Sequence, residues 1–266
     1  MKELFTMWKY STMVALTVLC AGIYMLLLLP SKAIPIIPDY TAIKPATLFP
    51  PIFGLLFGPA GAWGSAIGSL AGDLFGNFSV SSIFGFIGNF LYAYIPYKLW
   101  RNIKLKRGED RQPTINSASK LVQFGLASVI ASISCAVVTA WGLDVLRLYP
   151  FAPLSIIIFL NNAAITLIFG PIALPLAFRL AKKTGVVWTD IMHVKDISKP
   201  NPEIISVFMV YSGSLGGLAF GLALALLFAG QSLMGHGIAT QGMGSLFIGI
   251  GVLPFLVILF HGAFNS

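Results

Sequence analysis

The chain has 266 residues, of which 57% are hydrophobic and only 10% are charged. An ordinary soluble domain carries about 25% charged residues, so the composition excludes a soluble globular protein. Several apolar stretches approach or exceed the roughly 20 residues that a helix needs to cross a hydrocarbon layer about 30 Å thick. We therefore predict an all-α fold, a polytopic membrane helix bundle.

The first apolar stretch, residues 10–29, follows two lysines, as the apolar core of a secretory signal would. A signal core usually has about 7 to 15 residues and ends in a small-residue cleavage site. This stretch is longer and ends in Pro30-Ser31-Lys32. We therefore interpret it as a retained first membrane span.

Proline, glycine and charged residues divide the remaining apolar sequence, and the whole chain is predicted to form eight helices. They cover residues 8–29, 46–58, 60–76, 82–100, 117–141, 153–181, 204–229 and 243–263. The second is too short to span a membrane alone. Gly58-Pro59 separates it from the third, and we predict two helices there, although proline could equally kink one long helix because it removes a backbone donor.

Lysine and arginine are distributed unequally across the membrane if the N-terminus is placed in the cytoplasm. The inner side then holds Lys2, Lys9, Lys98, Arg101, Lys104, Lys106, Arg107, Arg111, Lys120, Arg179, Lys182, Lys183, Lys195 and Lys199. Only Lys32, Lys44 and Arg147 lie outside. By the positive-inside rule, both termini are predicted to be cytoplasmic. This asymmetry also explains the net charge of +8, so we expect contact with membrane lipid and no nucleic acid.

Small residues recur every four positions in two of the helices. They are Ala60, Gly64, Gly68 and Gly72, and Gly213, Gly217, Gly221, Ala225 and Ala229. Such stripes let helix backbones approach closely in lipid. They could pack helices within this chain or form a docking face for a partner helix. Ser11 and Ala15 are a weaker version of the same signal in the first helix.

On this topology, polar residues collect in the outer half of the membrane. Because amides and carboxylates are costly in hydrocarbon, they usually face a partner, a cavity or water. An outward-facing cavity for a small solute is therefore predicted. Its candidate contacts are Asp39, Tyr40, Lys44, Asp73, Asn77, Asn89, Tyr92, Trp141, Arg147, Asn161 and Asn162. Asp73 could instead only end a helix, and Asp144 could form a local ion pair with Arg147.

Catalytic chemistry has little support in the sequence. His193, His236 and His261 are assigned to different loops and depths, and no cluster of Cys or His has metal spacing. The phosphate-binding pattern G-x-x-x-x-G-K-[ST] is absent. We therefore predict no catalytic residue, no metal and no cofactor in this chain. The main alternative is a multipass enzyme acting on a lipid-linked substrate; a scaffold subunit and a self-sufficient secondary transporter are two others.

Three segments form a recognisable set: Lys44-Pro45-Ala46-Thr47-Leu48-Phe49-Pro50-Pro51, Phe57-Gly58-Pro59-Ala60-Gly61-Ala62 and Gly68-Ser69-Leu70-Ala71-Gly72-Asp73. Together they resemble the substrate-binding S components of energy-coupling factor (ECF) vitamin transporters. The resemblance covers about residues 5–185. It implies a six-helix solute-binding core over 1–185, to which we add a cytoplasmic linker over 186–203 and two further helices over 204–266.

The resemblance implies capture of a vitamin or related heterocycle at the outer face, with the first loop as a gate. It also implies a membrane coupling subunit and two ATPases as partners, so that ATP is used by the partners only. Docking on the coupling subunit is expected through small residues of the early helices, here Ser11, Ala15, Gly64 and Gly68. The family's alanine-every-four pattern is only approximated in the first helix, and the last two helices exceed the usual six.

Overall fold

The fold is described by a computed structural model that covers residues 2–32, 44–75, 78–103, 110, 112–197, 204–228 and 243–265. Within these residues the α-helices are α1 Lys2–Thr6, α2 Ser11–Lys32, α3 Phe49–Phe57, α4 Pro59–Leu74, α5 Ser81–Asn102, α6 Ala118–Val145, α7 Phe151–Lys183, α8 Trp188–Ile191, α9 Ile204–Phe228 and α10 Met243–Asn265. This part of the chain contains no strand, and the predicted all-α membrane bundle is confirmed.

Among the described residues, five helices are long and apolar enough to cross a membrane: α2, α6, α7 joined to α8, α9 and α10. The helix α4 has 16 residues, and α5 carries tyrosine, lysine and arginine along its second half. Both lie between other helices, and most of α5 from Gly88 to Arg101 is buried. Neighbouring helices, and not lipid, therefore surround the polar residues of α5.

The helices pack in a sequential order around α5. Helix α2 packs along α4, α4 and α6 both pack against α5, and α7 packs against α6. The α9–α10 hairpin lies on α6, and α9 also touches α7. We call the end of the bundle with Glu3 and Asn265 the termini end, and the opposite end, with Asp73 and Arg147, the cavity end.

The chain breaks at Gly58, as the sequence predicts, so that α3 and α4 are separate helices. Gly58 has a φ of +57°, in the left-handed region that favours glycine. A Cβ placed on it would lie 3.1 Å from the Trp188 ring and 3.2 Å from the Tyr97 ring. The break therefore needs glycine both for its backbone and for the aromatic side chains against it.

The two small-residue stripes pack helices within the chain. A Cβ on Gly64 would lie 2.5 Å from the Cβ of Cys20, and one on Gly68 would lie 2.6 Å from the carbonyl oxygen of Ala21. In the other stripe, a Cβ on Gly213 would lie 2.6 Å from the backbone of Leu259. Close α2–α4 contact accounts for the first stripe, and contacts of α9 with α10, α6 and α7 account for Gly213, Gly217 and Gly221 of the second. Gly64 and Gly68, predicted as docking residues, are instead covered by α2.

The termini end is held by polar contacts that the sequence did not predict. Glu3 is fully buried and accepts hydrogen bonds from Lys98 at 3.1 Å and Arg101 at 3.3 Å. Residues 186–197, predicted as linker, fold back onto the N-terminus. There Asp196 accepts a 2.6 Å hydrogen bond from the Tyr10 hydroxyl. The rest of the predicted linker lies outside the described residues.

Candidate functional site

A cavity of about 260 Å³ lies between α2, α4, α5, α6 and α7 at the cavity end. Its polar lining combines a lysine, a carboxylate, three amides and several hydroxyls. These residues are Lys44, Thr47, Ser69, Asp73, Ser81, Asn89, Thr139, Asn161 and Asn162. Leu28, Leu143, Leu154, Ile157 and Ile158 supply apolar wall. Five residues predicted as solute contacts therefore line one cavity: Lys44, Asp73, Asn89, Asn161 and Asn162.

Helical spacing brings the polar groups of each wall together. Ser69 and Asp73 are four residues apart on α4, so they lie on one face of that helix. Cys135 and Thr139 have the same spacing on α6. On α7, Asn161 and Asn162 follow the apolar lining residues one turn later. Short-range periodicity thus presents a polar strip from each of three helices.

Asn89 is held by three hydrogen bonds. Its Nδ2 donates to Ser69 Oγ at 3.0 Å and to the Gly85 carbonyl oxygen at 2.8 Å, and its Oδ1 accepts from the Tyr24 hydroxyl at 2.6 Å. Both amide hydrogens are therefore used within the protein. The geometry makes Asn89 a junction between α2, α4 and α5 that fixes the position of the Ser69 hydroxyl.

Tyr92 lies behind the cavity wall and does not line it. Its ring is fully buried, and its hydroxyl donates to the Asn162 carbonyl oxygen at 3.0 Å and lies 2.6 Å from the Thr166 hydroxyl. Thr166 in turn donates to the carbonyl oxygen of Thr47 at 3.3 Å. This network ties α5 and the segment before α3 to α7 at the position of the cavity asparagines.

Trp141 and Arg147, also predicted as contacts, lie outside the cavity. The Trp141 indole faces α10 and donates to the Gly249 carbonyl oxygen at 3.0 Å. Arg147 lies in the turn after α6 and lines a surface groove with Trp141 and Ser245. Both residues were predicted as contacts because they lie near the outer end of α6. The α9–α10 hairpin covers that side of α6, so Trp141 and Arg147 lie next to α10 and not in the cavity.

The Asp144 carboxylate forms a hydrogen bond with the backbone at the start of α7. Its Oδ2 accepts a 2.7 Å hydrogen bond from the Phe151 N–H in the first turn of α7, where N–H groups lack helical partners. Its Oδ1 has no hydrogen-bond partner within the described part of the chain. The ion pair with Arg147 that the spacing allowed is not formed.

The remaining predicted residues divide into two groups. Asp39, Tyr40 and Asn77, together with the predicted gate in the first loop, lie outside the described residues. Ser11 and Ala15 are exposed on the face of α2 that points away from α4.

Several lining residues were not among the predicted contacts, namely Tyr24, Thr47, Ser69, Ser81, Cys135 and Thr139. For Ser69 a signal was available: it precedes Asp73 by four residues, and one helix turn places them on the same face. Cys135 has a free, buried thiol. Tyr24 carries no such signal, because only the α2–α5 contact brings it to Asn89.

The cavity can bind a small polar solute. Ligand pockets for drug-sized molecules usually measure about 300–1,000 Å³, so a volume of about 260 Å³ suits a smaller molecule. Amides present donors and acceptors side by side, and the lysine and carboxylate add one charge of each sign. Such a lining suits a flat heterocycle with several polar edge groups.

A helical membrane bundle with a polar cavity between its helices defines a membrane-embedded solute-binding protein. A model of the QueT transporter family matches residues 14–179. The chain belongs to the QueT transporter family and is an S component of the ECF type, which confirms the resemblance seen in the sequence. It is a transporter component that binds a small solute, and not an enzyme. No curated protein and no solved structure matches the chain.

Proposed function

We propose that this chain captures a queuosine precursor, a flat heterocyclic base, as the solute-binding subunit of an ECF importer. Membership of the QueT transporter family, whose members are S components for queuosine precursors, supports this substrate class. The observation that carries the proposal is the cavity lined by Asp73, Asn161 and Asn162. Carboxylate and amide groups can pair with the donor and acceptor edge of such a base, and the apolar wall can cover its ring faces.

The proposed orientation places the cavity end outside and both termini in the cytoplasm of a cell membrane. Exposed Arg179, Lys182, Lys183 and Lys195 lie at the termini end, and lysine and arginine concentrate on the cytoplasmic side of membrane proteins. Solute would therefore enter from outside, and release would require the cavity to face inward.

The proposed partners are a transmembrane coupling subunit and two ATPases. The exposed face of α2, with Ser11 and Ala15, supports a docking surface because small residues allow close helix approach. Gly22 extends this face, since a Cβ on it would meet nothing within 4 Å. This chain would need no cofactor of its own, and ATP would act through the partners.

The test is equilibrium binding of a queuosine-precursor base to the purified full chain in detergent. We expect stoichiometric binding, and Asp73→Asn and Asn162→Ala should each weaken it by about tenfold, the equivalent of one or two lost hydrogen bonds. Asp190→Asn is the matched control, because that carboxylate pairs with Lys182 at the termini end. Binding of a vitamin such as riboflavin in preference to the base would overturn the proposed substrate class.

A further inference from the structure

A long apolar groove runs along the outer side of α10. Two shallow depressions, of about 230 Å³ and 470 Å³, meet at Trp141 and together follow α10 from Ser245 to Asn265. That stretch of helix is about 30 Å long at 1.5 Å per residue, which is the thickness of the hydrocarbon layer. We call it the α10 groove. It is separate from the solute cavity and shares no lining residue with it.

Trp141 forms the floor of the α10 groove where the two depressions meet. The Trp141 indole is fixed by its hydrogen bond to Gly249 and by edge-on packing against the Phe84 ring, with centroids 6.1 Å apart. Along the groove, Leu246, Ile250 and Leu253 of α10 are exposed bulky side chains. A partner helix usually needs small residues for close approach. This face therefore favours flexible acyl chains over a second helix.

Arg147 lies at the cavity end of the groove and brings a positive charge to it. It is the only non-glycine residue in the described part of the chain with a positive φ, at 58°. A left-handed backbone costs free energy for a residue with a Cβ, and such outliers concentrate at functional sites. Among the described residues no carboxylate forms an ion pair with its guanidinium.

We propose that the α10 groove is a binding site for an anionic phospholipid, with the headgroup phosphate on Arg147 and the acyl chains along the adjoining half of α10, since one leaflet fills about half of the hydrocarbon layer. A guanidinium matches phosphate oxygens with two parallel hydrogen bonds. The site lies at the end of a membrane-length helix, where a headgroup would be. A lipid here would lie against both α6 and α10, and so against the contact between the hairpin and the solute-binding core.

The experiment is native mass spectrometry of the full chain in detergent micelles that contain equal amounts of phosphatidylglycerol and phosphatidylcholine. The wild type should retain one phosphatidylglycerol in preference to phosphatidylcholine. Arg147→Gln should lower that retention by roughly five- to tenfold, as expected for one cation at a charged lipid surface. Arg147→Lys should keep part of it.

Two variants control for charge and folding. Arg179→Gln removes an exposed arginine at the termini end and should leave retention unchanged. Arg147→Gly suits the left-handed backbone better than arginine does, so it should be folded and still lose the lipid. A folded Arg147→Gly protein with wild-type retention would overturn the proposal. So would equal losses in Arg147→Gln and Arg179→Gln, or equal retention of the two lipids by the wild type.

Discussion

At the termini end, buried Glu3 accepts hydrogen bonds from Lys98 and Arg101, whereas at the cavity end Asp73, Asn161 and Asn162 line a hollow of about 260 Å³. Both ends place polar side chains inside a membrane protein, where an unpaired charge is costly. One end satisfies them with partners from the same chain and gains a fixed junction between α1 and α5. At the other end, polar side chains also line a space that a solute can fill.

The same contrast holds for the aromatic hydroxyls. At the termini end, Tyr97 accepts a 2.7 Å hydrogen bond from Arg101, whose guanidinium also lies 5.1 Å from the Tyr97 ring centroid and 5.2 Å from the Trp188 ring centroid. At the cavity end, Tyr24 is part of the cavity lining and donates to Asn89, while Tyr92 bonds to Asn162 from behind the wall. The difference indicates that charged pairs at the termini end serve folding, while neutral networks at the cavity end position the side chains that line the cavity.

Glu3→Ala should have the largest effect on stability. Removal of this carboxylate leaves Lys98 and Arg101 buried without their shared partner, which typically costs about 3–5 kcal/mol. Thermal unfolding of the full chain in detergent would measure it. Asp190→Ala is the control, since its pair with Lys182 is half exposed and should contribute less than about 1 kcal/mol. Equal stability of the two variants would contradict the folding role assigned to Glu3.

Comparing the stability of Gly64→Ala with that of Gly22→Ala tests which of these glycines packs against another helix of the chain. A Cβ at Gly64 would lie 2.8 Å from the Thr17 carbonyl oxygen as well as against Cys20, and overpacking of this kind costs about 1–3 kcal/mol. Gly22 has open space, so alanine there should be neutral or stabilising by up to about 1 kcal/mol. Thermal unfolding of both variants checks this.

A bulkier change, Gly22→Leu, extends that comparison to the partners. It should leave the isolated chain folded but weaken its assembly with a coupling subunit, measured by co-purification. Normal assembly of Gly22→Leu would remove this face of α2 from the docking surface.

Asn89→Ala should lower stability more than solute affinity. It leaves the Tyr24 hydroxyl without its acceptor, and a buried donor without a partner costs about 1–3 kcal/mol. Asn162→Ala, at the cavity surface, should do the opposite and lower affinity more than stability. Thermal unfolding and equilibrium solute binding, measured on both variants, would show whether each one loses more stability or more affinity. An Asn89→Ala protein of wild-type stability that fails to bind solute would make Asn89 a direct contact.

Removing the hydrogen bond between Tyr10 and Asp196 should have the smallest effect on stability, and that effect should depend on pH. The hydrogen bond from the Tyr10 hydroxyl lowers the pKa of Asp196, and the same bond raises the pKa of Tyr10. A depressed carboxyl pKa adds stability above the unfolded value of about 4 that is lost as the pH falls through the folded value. A raised tyrosine pKa adds stability below about 10 that is lost at higher pH.

Tyr10→Phe should therefore be slightly less stable than the wild type at pH 7, with the difference shrinking at pH 3. Denaturant titrations at the two pH values would measure it. A difference that grows on acidification would contradict the assigned bond.

Helix existence could be predicted well, because hydrophobic length and proline or glycine boundaries are local properties. All eight predicted helices are present, and Gly58 ends α3 as expected. The short α1 and α8 were not predicted, since neither has enough residues for a periodic pattern. They form through tertiary contacts, such as those of Glu3 with α5 and of Trp188 with Tyr97, whose ring centroids are 5.1 Å apart.

The site residues were predicted only from their expected depth in the membrane, which does not tell which way a side chain faces. Depth placed Asp73 and the α7 asparagines at the cavity end, but it placed Trp141 and Arg147 there equally. Only the packing of the hairpin against α6 separates the two groups, because helix rotation is set by neighbouring side chains and not by hydropathy. Asn89 shows the same limit: its amide belongs to a network with Tyr24 and Ser69, which are far apart in sequence.

By itself, the sequence determined that the chain lies in a lipid bilayer, where its helices are, how its charges are distributed and which family it resembles. These follow from composition, segment length and short motifs, each readable within a few tens of residues. The tertiary structure alone decided that Gly64 and Gly68 pack inside, that Glu3 pairs with Lys98 and Arg101, and which polar groups face the cavity. Each of those outcomes depends on contacts between helices, whose energies no local pattern encodes.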